Sequence, residues 1–356
     1  VSAPTGSVAR EVVRLPGRGR GSRRTRAGLR AGGLLLVAAI LLAVVLVSVS
    51  VGSKAIPIDV VWRAIVDNDG SYDAGVVWDQ RMPRTLLGAA VGAALGVAGA
   101  LMQALTRNPL ADPGLLGVNA GASAAVVGSV LLFGLTDLSD YVWFAFGGAA
   151  IASVVVYVLG SAGRGGATPV RLALAGTVVT AVLSGLITAI TTTDAKSWQL
   201  MRFWTIGSLV NRGVDVLLQV LPFVLIGLAI ALVLTSSLNA ISLGDQVGRA
   251  LGAHVGRTRI LAGLAVVLLC GGATAAAGPI VFVGLAVPHA VRAVVGPDYR
   301  WVVPYSMLVA PILLLGSDTL GRVILSSGEL EVGVMTAIVG APVFVYLVRR
   351  RQVTRL

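Results

Sequence analysis

Along the chain, apolar runs long enough to cross a membrane alternate with short polar breaks marked by glycine or proline. Ten such runs occupy positions 32–51, 85–105, 115–133, 141–159, 172–191, 214–235, 260–277, 280–295, 302–315 and 332–348. A helix rising about 1.5 Å per residue needs about 20 apolar residues to span the hydrocarbon core. The eighth and ninth runs are shorter than that. The pattern predicts that other helices enclose them or that the bilayer thins around them. The fold class expected is an all-α polytopic membrane protein with about ten transmembrane helices. Within the second run, Gly88, Gly92 and Gly96 recur every four residues. That spacing puts them on one helical face, the small-xxx-small pattern of close helix packing. Pro222, Pro311 and Pro342 also fall inside runs; neighbouring helices can re-satisfy the carbonyls they free.

Composition removes the soluble alternative. Of 356 residues, 56% are hydrophobic and 12% charged, where a soluble domain carries about 25% charge. The net charge of +12 raises the question of nucleic acid, but its distribution answers it. Eight arginines lie between Arg10 and Arg30, and Arg349, Arg350, Arg351 and Arg355 form a second cluster. Both abut apolar runs, where orientation signals of membrane proteins sit, so no nucleic-acid partner is expected. Residues 1–31 read as a disordered, Arg-rich cytoplasmic tail, 32–348 as the membrane domain and 349–356 as a basic cytoplasmic tail. The run at 32–51 is of spanning length and reads as a retained helix rather than a cleaved signal.

An even number of spans puts both termini on one side. With that side cytoplasmic, twenty of the 28 Lys and Arg face inward, including Arg107, Arg164, Arg171, Arg249, Arg257, Arg259, Arg292 and Arg300. Eight face outward: Lys54, Arg63, Arg81, Arg84, Lys196, Arg202, Arg212 and Arg322. The positive-inside rule therefore predicts cytoplasmic termini.

The chain is poor in chemistry. Its one cysteine, Cys270, and two histidines, His254 and His289, exclude an internal disulfide and any Cys- or His-rich metal site. A lone histidine among apolar residues reads as an interhelical hydrogen-bonder. No cofactor is expected. There is no G-x-x-x-x-G-K-[ST] phosphate loop, since Lys54 and Lys196 follow Ser53 and Ala195. Acidic residues fall in loops or at run ends, Asp215 and Asp318 among them, whereas ion-coupled carriers bury acids in mid-span. Energy is thus expected from a partner. A stand-alone ion-coupled secondary transporter is the alternative. An integral-membrane enzyme would need a His, Asp or Ser constellation at one face, and none is visible.

The polar connectors are more specific than the helices. Arg81-Met82-Pro83-Arg84 opens the second run. It is followed by Gly99, Gln103, Arg107-Asn108-Pro109-Leu110-Ala111-Asp112-Pro113, Leu116-Gly117 and Gly121-Ala122. Further on stand Trp204 with Gly207-Ser208-Leu209, Leu243-Gly244 with Ala250-Leu251-Gly252, and Gly278-Pro279-Ile280-Val281-Phe282-Val283-Gly284-Leu285 with Pro288-His289. Together these residues, from about position 57 onward, resemble the FecCD-type permeases of binding-protein-dependent ABC importers, which carry iron–siderophores, haem and cobalamin (vitamin B12). The chain departs from that pattern at Asp298-Tyr299-Arg300, where the family has Asp-His-Arg. It departs again at Glu329 to Gly333, where the family has Glu-x-Pro-x-Gly.

The resemblance implies a type II ABC importer permease in the bacterial inner membrane that moves an iron(III)-siderophore or similar metal chelate. It further implies a second permease subunit, identical or related, two cytoplasmic ATPase subunits and an extracytoplasmic solute-binding protein. ATPase coupling falls to the loop at about 238–259, with Leu243, Gly244, Arg249, Ala250, Leu251, Gly252 and Arg257; read bare, it is a polar connector. Gate positions fall on Asn108 and Leu110, otherwise a helix-ending turn before Pro109, and on Thr168. Binding-protein docking falls on Arg81, Arg84 and Arg322, otherwise arginines snorkelling to the interface.

Overall fold

The computed structural model describes residues 20–350 except 53, 68, 163–167 and 326–327. Among them the regular elements are all helical. In chain order they are α1 (Arg20–Ser50), α2 (Ile58–Val66), α3 (Tyr72–Gly75), a π turn (Val76–Arg81) and α4 (Met82–Thr106). A 3-10 turn (Pro113–Leu116), α5 (Val118–Phe133), α6 (Leu138–Ser161), α7 (Pro169–Thr193) and α8 (Ala195–Trp204) follow. Then come α9 (Val214–Ser242), α10 (Asp245–Ala250), α11 (Val255–Ala277), α12 (Val283–Val295), α13 (Tyr299–Val323) and α14 (Val332–Arg350). Seven spans are long and apolar enough to cross a membrane, and α5, α12 and α14 are shorter apolar helices. These ten helices fall on the ten apolar runs.

Several boundaries differ from the expected ones. Helix α9 runs on to Ser242 and α11 starts at Val255, so the connector expected at about 238–259 narrows to 243–254. Three others differ as well. Helix α1 starts at Arg20, so residues 20–31 are helical and not part of a disordered tail. Extending an existing helix avoids the cost of a new nucleus, and only Gly21, Ser22, Thr25 and Gly28 among these residues oppose it. Residues 1–19 and 351–356 of the two tails lie outside the described residues. The ninth run grows to the 25-residue α13, because Asp318 and Arg322, read as end-of-run charges, pair inside the helix. The eighth becomes the 13-residue α12, about 20 Å long.

Helix α4 is the hub, packing on α9, α11, α12 and α13. Of the apolar stretch ending in α4, 83% is buried, against 6% for α7 and 11% for α1. The glycine face of α4 meets α13. A Cβ at Gly92 would stand 2.7 Å from the Pro311 backbone, and one at Gly96 2.7 Å from the Ser306 carbonyl. At Gly88 it would meet Leu315 and Leu209. Helices α5 and α6 approach as closely through Gly121 and Gly148, each facing the other's carbonyl.

Because the ten apolar helices, short ones included, alternate in direction, the bundle has two ends. One gathers the C-termini of α1 and α13 with the N-termini of α4 and α14; it is called here the Asp318 end. The other gathers the C-termini of α4 and α9 with the N-termini of α11 and α13, and is the Asp245 end. Helix α12 does not reach the Asp318 end: its Gly284 packs on Leu95 and Gly99, near the middle of α4.

Candidate functional site

At the Asp318 end the three arginines assigned to docking converge, and each is occupied within the chain. Asp318 is wholly buried. It accepts from Arg84 Nη2 at 2.7 Å and Nε at 3.0 Å, and from Arg322, four residues along α13. Arg84 also reaches Glu329 at 2.6 Å. The remaining donors of Arg322 close the end of α1, on the Ser48 carbonyl at 2.8 Å and that of Val51 at 3.2 Å. Arg81, 5% exposed, donates to the carbonyls of Val49, Ser50 and Lys54 at 3.2, 2.6 and 2.5 Å. The carbonyls of Ser48, Val49 and Ser50 belong to the last turn of α1, have no partner within the helix and carry the negative end of its dipole. Arg81 and Arg322 therefore act as the C-cap of α1 rather than as freely snorkelling side chains. The guanidiniums nonetheless border a cavity of about 240 Å³, lined by Gly52, Lys54, Tyr72, Gln80, Arg84 and Glu329 among others. Lys54 is the cation there with the most exposed side chain, 46%, and it pairs with Asp73 at 2.5 Å.

Inside the bundle, three non-helical segments lean on one another. The Ser208 amide donates to Ala277 O at 2.7 Å, and the Gly333 amide to Gly207 O at 3.0 Å. Glycine is required at these crossings. A Cβ at Gly333 would lie 1.8 Å from Ile206 O, one at Gly278 2.3 Å from Trp204 O, and one at Gly207 2.5 Å from Pro279 O. Backbone that leaves the helix at membrane depth must be satisfied by other protein groups, and here each segment supplies another. His289 sits on α12 with its ring edge-on to Phe344 of α14, centroids 5.9 Å apart. Gln103 and Arg292 hydrogen-bond to each other, and Gln103 Nε2 donates to Leu285 O at 3.1 Å, which ties α12 to α4.

At the Asp245 end, Asn108 and Leu110 are exposed, with Leu110 N donating to Asn108 Oδ1 at 3.0 Å. Thr168 caps α7 by accepting from Arg171 N at 3.4 Å, on the side of the bundle away from α4's glycine face. Arg164 lies outside the described residues. The connector 243–254 stands proud of the bundle. Leu243, Val247 and Leu251, four residues apart, are 64, 46 and 63% exposed, and Arg249, Ala250, Gly252 and Arg257 are exposed beside them. Gly244 and Gly252 take φ of +110° and +82°, so α10 hangs between two turns that favour glycine. The acid Asp245 is held by Arg107 of the α4 end and Arg259 of α11.

Comparison with known proteins places this geometry. The model of the FecCD transport family matches residues 40–350. The chain belongs to that family. It is 49% identical over 319 residues to the ferric enterobactin transport system permease protein FepD of Escherichia coli, covering 90% of this chain and 94% of that one. It is 41% identical over 311 residues to the probable siderophore transport system permease protein YfiZ of Bacillus subtilis, covering 87% and 93%. Among solved structures it is similar to a metal-chelate type ABC transporter in an inward-facing conformation. That match has a TM-score of 0.79 and 26% identity, and covers 90% of this chain and all of the other. The protein is thus a multi-pass transport permease of the FecCD family. What the sequence left unassigned in this member were the acids Asp318, Glu329 and Asp245 that hold its arginines. Only the first had a visible signal, the four-residue spacing to Arg322.

Proposed function

We propose that this chain is the membrane-spanning subunit of a binding-protein-dependent ABC importer that brings an iron(III)-siderophore or similar metal chelate into the cytoplasm. The observation that carries the reading is the 243–254 connector: Leu243, Val247 and Leu251 stand exposed at four-residue spacing on and beside α10, with the exposed Arg249 between them and Arg257 at the start of α11. Exposed apolar clusters of this kind mark an interaction surface. In a chain without a phosphate loop, the partner is an ATPase subunit that docks on Leu243, Gly244, Arg249, Ala250, Leu251, Gly252 and Arg257. The Asp245 end is then cytoplasmic. Asn108, Leu110 and Thr168 belong to the inner mouth. The cavity beside Arg81, Arg84 and Arg322 receives acidic side chains of the binding protein at the outer face. The thinly covered α7 is available to a second permease subunit, identical or related. Siderophore relatives at 49 and 41% identity support a ferric chelate as cargo, with haem and cobalamin as alternatives within the family.

The test is uptake of ferric enterobactin into proteoliposomes. Uptake should require the ATPase subunits, ATP inside and the loaded binding protein outside. Gradient-driven uptake by the permease alone would replace this reading with that of a secondary transporter.

A further inference from the structure

Asp245 does more than begin α10. Its carboxylate accepts from Arg259 Nη2 at 3.0 Å on both oxygens and from Arg107 Nη2. Arg107 also donates from Nε to Ile241 O in the last turn of α9, at 3.1 Å. A single acid therefore joins the ends of α4 and α9 to the starts of α10 and α11. Arg107 is itself the C-cap of α4, at φ 50° and ψ 33°. Left-handed backbone is uncommon for a residue with a side chain, and here the guanidinium is fixed on two sides. The next residues along are Asn108 and Leu110.

The rest of the connector is held by packing alone. Helix α10 lies chiefly against α9, where the buried Gly248 faces Ala240 and Ile241, and touches α11. An added Cβ at Gly244 or Gly252 would meet nothing within 4 Å, so both turns have room to swing. A push on Leu243, Val247 and Leu251 would be absorbed in those turns unless something ties α10 to the bundle.

We infer that Asp245 is a positioning residue for transport: through Arg107 and Arg259 it makes the exposed 243–254 surface and the start of the Asn108–Leu110 connector move as one body. This rests on the proposed docking of an ATPase at that surface. The three side chains are 24 to 34% exposed, and such pairs add little to stability, so what they supply is position.

The test uses the complete transporter in lipid with Cys270→Ala and spin labels at Leu110→Cys and Leu132→Cys. Leu132 is an exposed site near the end of α5. ATP with vanadate should shift the label-to-label distance in the parent. In Asp245→Asn that shift should fall at least two-fold while the ATPase subunits remain bound. In a second variant, Asp245→Glu, which keeps the carboxylate between the two arginines, the shift should be retained. An undiminished shift in Asp245→Asn, or a loss in Asp245→Glu as large as in Asp245→Asn, overturns the joint. The docking reading is tested separately by Leu251→Glu. ATPase subunits that bind this variant as tightly as the parent would overturn the surface assignment and the joint with it. Binding lost in Leu251→Glu with a normal shift in Asp245→Asn overturns the joint alone.

Discussion

At the scale of single residues, the arginines at the Asp318 end illustrate how burial decides role. Asp318 is fully buried between Arg84 and Arg322. Removing one partner of a buried pair leaves an uncompensated charge and costs about 3–5 kcal/mol. Asp318→Ala should therefore lower the thermal unfolding midpoint of the detergent-purified permease sharply. Lys54→Ala should barely move it, because the Lys54–Asp73 pair is roughly half exposed and exposed pairs are worth about 0–1 kcal/mol. The same contrast separates folding from docking. If the neighbouring cavity receives an acidic partner, Lys54→Glu should raise the concentration of loaded binding protein needed for half-maximal uptake, with the unfolding midpoint unchanged. An unaltered half-saturation value would remove Lys54, and the cavity with it, from the docking surface. The sequence showed arginines at this end of the spans. It could not show that Arg81 and Arg322 spend their donors on the carbonyls of α1, because those partners lie 27 to 32 and 271 to 274 residues away.

At the scale of elements, the ten apolar helices were legible because a spanning run is a strong local signal, whereas their partners were not. The spacing of Gly88, Gly92 and Gly96 marks a face, and the structure sets α13 against it. Gly96→Ala would push a methyl to 2.4 Å from the Ala310 Cβ; overpacking of this kind costs about 1–3 kcal/mol. Gly316→Ala, on the same helix pair with nothing within 4 Å, is the control. A comparable rise in unfolding midpoint for both, as expected from the better helix propensity of Ala alone, would show that close approach does not govern the packing of α4 on α13. The junction of segments 204–208, 277–279 and 333 was illegible as a contact, although its glycines stood out, since it pairs carbonyls and amides far apart in the chain. At α10, Gly252→Pro sets a φ near −65° where the backbone needs +82°. Recovery of ATPase subunits with the permease should fall at least ten-fold while the variant still inserts and purifies. Undisturbed recovery would remove the 243–254 connector from the coupling role.

At the scale of the whole molecule, the two ends differ in charge, and that difference argues for orientation. The loops and helix ends at the Asp245 end carry Arg107, Arg171, Arg249, Arg257, Arg259, Arg292 and Arg300 against the acids Asp112, Asp245 and Asp298. At the Asp318 end the balance inverts, with eight basic residues against twelve acids, Asp59, Asp67, Asp69 and Asp73 among them. Lys and Arg near span ends are retained on the cytoplasmic side, so the Asp245 end should face the cytoplasm, which is also where an ATPase could reach α10. The chain suits a direct test, because its one cysteine, Cys270, is 1% exposed and can be replaced by Ala. In that background, Asp67→Cys should react with a membrane-impermeant maleimide in intact spheroplasts. Arg249→Cys, exposed on α10, should react only after the membrane is permeabilised. Labelling of Arg249→Cys from outside would reverse the bundle. It would then put the α10 surface where no nucleotide is available, and the coupling assignment would fall together with the orientation.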